Sequence, residues 1–330
     1  MSVYFMKGIS VILTAFNRRD YLNDALDSLI NQDFDKTMME IILVKNFSDK
    51  MIDDKIAEYG GKLVYSDGNF GRMVADAIEL ATKDIIAFLD DDDFFLSWKL
   101  RESFELFSKV QNLYLLHDSV INFTNINEVK FQHMQFEHVS HMLVKEEDLN
   151  LHSIRKLLKL SPLWHNSSFV INSDLLKVNL PLLRKVKLSA DTFFFLLWLE
   201  SKTKAVFLSS SLTGYRIVPH NEGNKEHFFL YKKQIQIWKT HLEDLEIFYT
   251  MFTTKCARNI IDKLYSRLLV QIIVGSKIAA RNQVFDIIKM NVKAFALFFD
   301  MENLFAIFLI ILYLLSPRLA SIVYAIFKFN

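Results

Sequence analysis

Cysteine, glycine and proline are all scarce, with one, 8 and 4 among 330 residues. A lone Cys256 can neither close an internal disulfide nor build a zinc cluster, which fits a reducing compartment and removes the disulfide-rich secreted class. So few turn formers exclude collagen-like and low-complexity chains and imply long regular elements. An excess of one charge is also missing. Lys and Arg total 39 against 38 Asp and Glu, a formal net charge of +1. No chain-wide basic field exists to hold a polyphosphate backbone, so nucleic acid is not an expected partner. Met1–Lys7 has no basic stretch followed by an apolar run, and no secretory leader is expected. What is plentiful is apolar: hydrophobic residues make up 51% and phenylalanine alone reaches 30. At about 150 residues per domain, the length allows roughly two domains, each able to bury a core.

The longest apolar runs lie at the end, Leu304–Leu315 and Leu319–Phe327, interrupted by Ser316-Pro317-Arg318. A twelve-residue helix rises only about 18 Å against a hydrocarbon core of about 30 Å, so neither half spans a bilayer alone. Fused into one helix they would carry Arg318 near the midplane, at a cost of about 2.5–3.5 kcal/mol. A break at Ser316-Pro317 is therefore expected, with 304–330 dipping into or lying on a membrane. A buried helix pair, a subunit contact and a true crossing are the other readings open to this segment.

Upstream, β-type apolar runs at Ile9–Leu13, Glu40–Val44, Lys62–Tyr65 and Ile85–Leu89 alternate with helical segments, the pattern of βαβ units and a parallel sheet. Leu22, Ala25, Leu26 and Leu29 recur at helical spacing, with Asp20 the expected N-cap of a helix reaching Gln32. Further expected elements are helices at Trp98–Val110 and Asp191–Glu200, and strands near Leu113–His117, Phe169–Ile171 and Leu212–Ile217. Long helices follow from about Glu226, Arg258–Ala280 among them.

Four consecutive acids, Asp90-Asp91-Asp92-Asp93, directly follow the apolar strand Ile85–Leu89. Ligands of open α/β sheets bind beyond the carboxyl ends of strands. Adjacent carboxylates repel one another, and a hard divalent ion such as Mg²⁺ or Mn²⁺ relieves that repulsion while neutralising a diphosphate. A solvated acidic turn is the plainer reading. Two further features are weaker alone: the polar turn Thr14-Ala15-Phe16-Asn17 after the first strand, and Asn69-Phe70-Gly71-Arg72, where helix-start N–H groups and Arg72 could meet a phosphate. Trp164-His165-Asn166-Ser167-Ser168 offers an aromatic beside hydrogen-bonding groups, which suits a sugar ring as well as it suits packing.

Taken in order, ISVILTAFNR, EIILVKNFSD, NFG and AFLDDDD resemble the nucleotide-binding half of family 2 glycosyltransferases, over about Ile9 to Leu100. Ser189-Ala190-Asp191-Thr192 resembles that family's acidic motif, and Tyr215-Arg216 with His220-Asn221 its late segment. The resemblance implies a GT-A, Rossmann-like α/β fold with a mixed, mainly parallel sheet flanked by helices. It implies a catalytic domain at 1–225, with a nucleotide half at about 8–100 and an acceptor half at 101–225; the helical and apolar patterns add a helical extension at 226–303 and a membrane-associated segment at 304–330. It further implies an inverting transfer from a nucleotide-diphosphate sugar to an acceptor hydroxyl. Asp191 would be the base, Asp92, Asp93 and His220 would hold Mg²⁺ or Mn²⁺, and Thr14, Ala15, Asn17, Asn46, Asn69, Arg72, Asp90, Asp91, Trp164 and Arg216 would line the donor site. The partners it implies are the donor and a glycan acceptor; the C-terminal apolar segment adds the cytoplasmic face of the cell membrane and a lipid-linked saccharide as acceptor, and self-association is compatible with both.

The chain departs from the family pattern in three places. Thr14-Ala15-Phe16-Asn17 stands where Pro-Thr-Tyr-Asn is common. Lys45-Asn46 stands where an acid usually reads the base, with Asp49 the nearest substitute. Asp76-Ala77 replaces a frequent Arg-Asn pair. These leave the donor base open. A sugar nucleotidyltransferase is a rival reading, although Leu13–Arg19 lacks the glycine-rich loop such enzymes use; a non-catalytic, membrane-tethered saccharide or nucleotide-sugar binding protein is another.

Overall fold

The computed structural model describes residues 6–126, 141–159, 165–217, 224–276, 281–299 and 301–329. The chain divides into two compact units, Met1–Leu149 with Lys156–Pro219, and Asn150–Arg155 with His220–Asn330. The boundary expected at 225/226 thus falls at 219/220, with a short excursion at 150–155.

The first unit is built on a mixed sheet of strands β1 (Ile9–Ala15), β2 (Met39–Lys45), β3 (Lys62–Tyr65), β4 (Ile85–Asp90), β5 (Phe94–Phe95), β6 (Leu113–Phe123), β7 (His141–Val144), β8 (Phe169–Asn172) and β9 (Lys204–Arg216). Their order is β3-β2-β1-β4-β8-β6-β9-β5, with β7 beside β9. β3, β2, β1 and β4 run parallel, β8 is antiparallel to both β4 and β6, and β6 and β9 are parallel. All seven residues of β1 are buried, the continuous apolar run of a strand covered on both faces. Register then does the positioning: Thr14 sits opposite Val44 on one side and Asp90 on the other, so β1, β2 and β4 end level.

Helix α1 (Leu22–Ile30) buries Leu22, Ala25, Leu26 and Leu29 as the spacing requires. Its N-cap is Tyr21, without a side-chain bond, so Asp20 is not the cap; a backbone bond from Leu22 N–H to the Arg19 carbonyl opens the helix instead. Helices α2 (Lys50–Glu58), α3 (Phe70–Leu80) and α4 (Lys99–Lys109) complete the βα repeats. β9 begins eight residues before its expected start. Polar Ser209–Ser211 break the apolar pattern there, but pairing with β6, β7 and β5 supplies the backbone bonds that keep the segment extended.

The second unit is helical: Asn224–Met251, Lys255–Ser276, Arg281–Phe298, Met301–Leu315 and Pro317–Phe329. The break expected at Ser316-Pro317 is present, with proline at the first helical position and the Ser316 hydroxyl accepting from Leu319 N–H at 3.3 Å. Buried asparagines tie these helices together: Asn303 donates to Asn291 Oδ1 (2.9 Å), and Asn291 donates to the Ser266 carbonyl (3.2 Å). Among the described residues no helix is long and apolar enough to cross a membrane.

Candidate active site

Three strand ends and one helix start build the site. Thr14, at the end of β1, donates to Asp90 Oδ1 at 2.8 Å, and Asn166 donates to the same oxygen at 3.1 Å. Asp90 is the last residue of β4, so its carboxylate leaves the sheet where ligands of such folds bind. The turn then splits the four acids into different tasks. Asp93 points inward, with Oδ2 accepting from Ser167 Oγ (2.6 Å) and Oδ1 from Arg216 N–H (3.2 Å). Asp91, buried, and Asp92, partly exposed, both meet the Arg18 guanidinium. Asp191 lies in the first turn of helix Ala190–Ser201, one residue past its start, and Ser189 occupies the N-cap position.

A buried polar platform supports this turn. Lys99 is fully enclosed and donates to Asp118 Oδ1 (2.6 Å), the Ser167 carbonyl (2.7 Å) and Thr213 Oγ1 (2.6 Å). Ser167 is the link, since its hydroxyl accepts from Asp90 N–H at 3.0 Å while donating to Asp93. Sequence reasoning missed Lys99, Asp118 and Thr213, because each carries an ordinary residue type and only the crossing of α4, β6 and β9 brings them together. Asn166 and Ser167 were legible as part of a polar segment of unassigned role.

Three residues expected to line the donor site, Asn69, Arg72 and Arg216, make contacts within the protein. The N–H groups of Phe70 and Gly71 bond to the Lys187 and Val186 carbonyls, and Arg72 N–H bonds to Asn69 Oδ1. These amides therefore serve the protein and do not form a phosphate cradle, and Asn69 acts as the cap of α3. Gly71 is required by close packing, since a Cβ there would lie 2.3 Å from the Leu183 carbonyl oxygen. The Arg72 side chain is exposed, with Asp76 its ion-pair partner at 3.9 Å. Arg216 is also knitted inward: Nε donates to the Asp92 carbonyl (2.9 Å), Nη2 to Asp24 (2.9 Å), and the guanidinium lies over Tyr21 and Phe123. It shapes the acidic turn. Asp93, expected to hold metal, has both oxygens engaged. Trp164 and His220 lie outside the described residues.

Ala15, Asn17 and Asn46 come together at the adjoining ends of β1 and β2. Asn17 adopts a left-handed backbone (φ 56°), which Asn tolerates better than most residues. Reciprocal bonds fix it, Asn17 N–H to Asn46 Oδ1 (2.9 Å) and Asn46 Nδ2 to Asn17 Oδ1 (2.8 Å). Phe16 beside them is half exposed. Lys45, where an acid was the familiar residue, is buried and paired with Asp53 at 2.5 Å; Asp53 also accepts from the Tyr65 hydroxyl at 2.6 Å. Asp49, the nearest acid, caps α2, its Oδ1 accepting from Ile52 N–H at 3.3 Å.

Electrostatics single out the same residues. Burial first, and then the charge of Asp92, push Asp90 up to about 6. Burial and the neighbouring Asp90 and Asp92 raise Asp93 well above the usual carboxylate range. Burial and the charge of Asp90 push Asp191 up to about 7, near the working range of a general base. In each case burial is the larger cause and neighbouring negative charge adds to it. A hard cation fits: the donors are oxygens, and Asn166 Oδ1, buried beside Asp90, has no hydrogen-bond partner among the described residues. Those residues contain no cluster of three His, Cys, Asp or Glu placed to hold a metal. A divalent ion would accordingly take Asp92 and a few oxygens besides, completed by ligand phosphates, as Mg²⁺-type sites commonly are.

The sheet order, the acidic turn closing β4 and the helix-borne Asp191 define a GT-A glycosyltransferase fold. Residues 10–155 match the model for Glycosyl transferase family 2. A poly(ribitol-phosphate) beta-glucosyltransferase of Bacillus spizizenii is 32% identical over 94 residues, covering 26% of this chain and 15% of the relative. The Staphylococcus aureus poly(ribitol-phosphate) beta-N-acetylglucosaminyltransferase TarS is 28% identical over 105 residues, covering 30% and 18%. These matches span less than a fifth of either relative's length. An uncharacterized glycosyltransferase of Methanocaldococcus jannaschii, MJ1057, is 25% identical over 221 residues, 63% of this chain and 70% of the relative. In structure, S. aureus TarS in complex with UDP-GlcNAc superposes with a TM-score of 0.55 at 16% identity, covering 92% of this chain and 90% of that one. The mannosyltransferase PcManGT of Pyrobaculum calidifontis, in complex with GDP-Man and Mn2+, gives 0.50 at 12% identity, covering 97% and 88%.

Proposed function

We propose that this chain transfers a sugar from a nucleotide-diphosphate sugar to an acceptor hydroxyl by single displacement, with inversion. The observation that carries the reading is Asp191, a carboxylate at a helix start, within the field of Asp90, that burial pushes up to about 7. A sugar hydroxyl is a poor nucleophile near neutral pH and needs a base within hydrogen-bond reach as the new bond forms. Asp191 takes the hydroxyl proton as the acceptor oxygen bonds to the anomeric carbon. The bond from that carbon to the diphosphate breaks, and the nucleoside diphosphate leaves. When bound at Asp92, Mg²⁺ or Mn²⁺ supplies charge neutralisation for the diphosphate. Asp90, held by Thr14 and Asn166, presents a carboxylate to the donor, while the Asn17–Asn46 pair and exposed Phe16 border its base. Solved neighbours holding UDP-GlcNAc, or GDP-Man with Mn2+, support a sugar-nucleotide donor and leave its base open.

The second unit supports placement at the cytoplasmic face of a membrane. Leu304, Phe308, Ile311 and Leu315 on one helix, and Leu319, Ile322 and Ile326 on the next, are exposed at helical spacing. Ala306, Leu309, Ile310, Tyr313, Ala320 and Tyr324 are buried within the unit. This apolar outer face suits interfacial binding, and with it an acceptor such as a lipid-linked saccharide. The relatives' printed substrates add poly(ribitol-phosphate) as an acceptor to try.

The test is a panel of nucleotide sugars offered with and without Mn²⁺, and with a chelator, scored by release of nucleoside diphosphate. Metal-dependent release from at least one donor is expected. A chain that binds donors but never turns one over, with any acceptor in the panel, would be a binding protein.

A further inference from the structure

Arg18 has no place in the proposed displacement, yet its guanidinium engages two carboxylates of the site. Nε donates to Asp91 Oδ2 at 3.0 Å, Nη2 pairs with Asp91 Oδ1 at 2.5 Å, and Nη1 with Asp92 Oδ2 at 2.7 Å. One planar guanidinium thus spans two adjacent carboxylates of the acidic turn, a geometry that an ammonium cannot copy. Its direction is built into the fold. The left-handed turn at Asn17, locked by Asn46 across the β1–β2 ends, ends one residue before Arg18 and sends its side chain over the end of β4. Burial works against the guanidinium charge, and the hydrogen bonds and charges of Asp91 and Asp92 overcome it, so the group holds its proton more firmly than usual. The pair nevertheless remains reachable: the Arg18 side chain is 35% exposed and Asp92 19%, against 7% for Asp91. Asp91 is therefore the anchor and Asp92 the arm open to exchange.

We propose that Arg18 is a resident counter-cation that a divalent ion must displace from Asp92. Metal uptake by the chain alone is then weak, and it strengthens when a nucleoside diphosphate binds and its phosphate oxygens accept the released guanidinium. Arg18 acts as a positioning residue that couples metal binding to donor binding while holding the empty turn in shape. This rests on the donor reading above.

The coupling is measured by titrating the full chain with Mn²⁺ at pH 8 and following free Mn²⁺ by electron paramagnetic resonance, first alone and then with UDP or GDP. In the wild-type protein the nucleotide that binds should tighten Mn²⁺ about tenfold or more, the factor that corresponds to about 1.4 kcal/mol. Arg18→Gln should bind Mn²⁺ alone about tenfold more tightly than wild type, and the nucleotide's enhancement should shrink by the same factor. Arg18→Lys, which keeps the charge but cannot bridge two carboxylates, should fall between them. Melting temperature shows whether each variant is folded, and if Arg18→Gln is not, Arg18→Lys carries the test. A folded variant with wild-type or weaker affinity for Mn²⁺ alone would overturn the proposal, since a purely structural Arg18 has no reason to oppose the metal. Failure of the donor reading looks different, because wild-type protein would then bind neither nucleotide nor nucleotide sugar.

Discussion

Replacing Asp191 by asparagine removes a proton acceptor while keeping shape and hydrogen-bonding capacity, and the structure gives the change a pH signature. The folded-state value of about 7 lies above the ordinary 3.8. The folded chain therefore binds this proton more tightly than the unfolded chain, so the group favours the fold at low pH and loses that advantage as pH rises from about 4 to about 7. At about 1.36 kcal/mol per pKa unit, the cost above neutrality has a ceiling of about 4 kcal/mol. The side chain keeps some opening to solvent, which screens the charge, and about 1–2 kcal/mol is expected. Asp191→Asn should thus raise the melting temperature by roughly 2–8 °C at pH 8 and leave it unchanged near pH 4, at about 2–4 °C per kcal/mol. Transfer at pH 8 should fall by about 10² or more with donor affinity retained. Scanning fluorimetry at the two pH values, beside a transfer assay, reads both. A variant destabilised equally at both pH values, or one that transfers normally, would refute the assignment and turn the search for the base to Asp174 or His165.

Asp92→Ala should abolish metal-dependent donor binding with little change in melting temperature, because it removes one of several mutually repelling acids; isothermal titration with and without Mn²⁺ checks this. Lys99→Met strands Asp118 in a fully buried site and should cost about 3–5 kcal/mol, seen as a fall in melting temperature of about 6–20 °C. Phe308→Glu with Ile322→Glu changes only exposed positions of the last two helices, and should lower co-sedimentation with anionic lipid vesicles several-fold while the fold survives. Deleting these helices would also remove the buried Asn303, Leu309 and Ile310, so surface charge is the cleaner perturbation.

Much of the first unit was legible because its central strands β1 and β4 are buried and read as largely apolar runs, while the edge strand β3 was placed by the βαβ alternation. Lys62–Tyr65 lies where expected, and Ile85–Leu89 extends by one residue, to Asp90. The acidic turn was legible as a place, since four carboxylates after a buried strand demand an account. Their division of labour was not, because Asp93 faces inward only through Ser167 and Arg216, residues 74 and 123 positions away in sequence. The surroundings of Asn69-Phe70-Gly71-Arg72 were not legible for a similar reason: the Phe70 and Gly71 N–H groups are claimed by the 186–187 segment, a contact that no local pattern carries. Asp20 has the chemistry of a cap but sits too early, and a backbone turn from Arg19 opens the helix without it.

The central claim is direct displacement at the anomeric carbon with Asp191 as base. The stereochemistry of the product tests it without recourse to any variant. A donor of known anomeric configuration, taken from those that release nucleoside diphosphate, is incubated with enzyme, Mn²⁺ and acceptor, and the new linkage is read from its anomeric proton coupling by nuclear magnetic resonance. The account predicts the opposite configuration to the donor's; a product that retains the donor's configuration would contradict it.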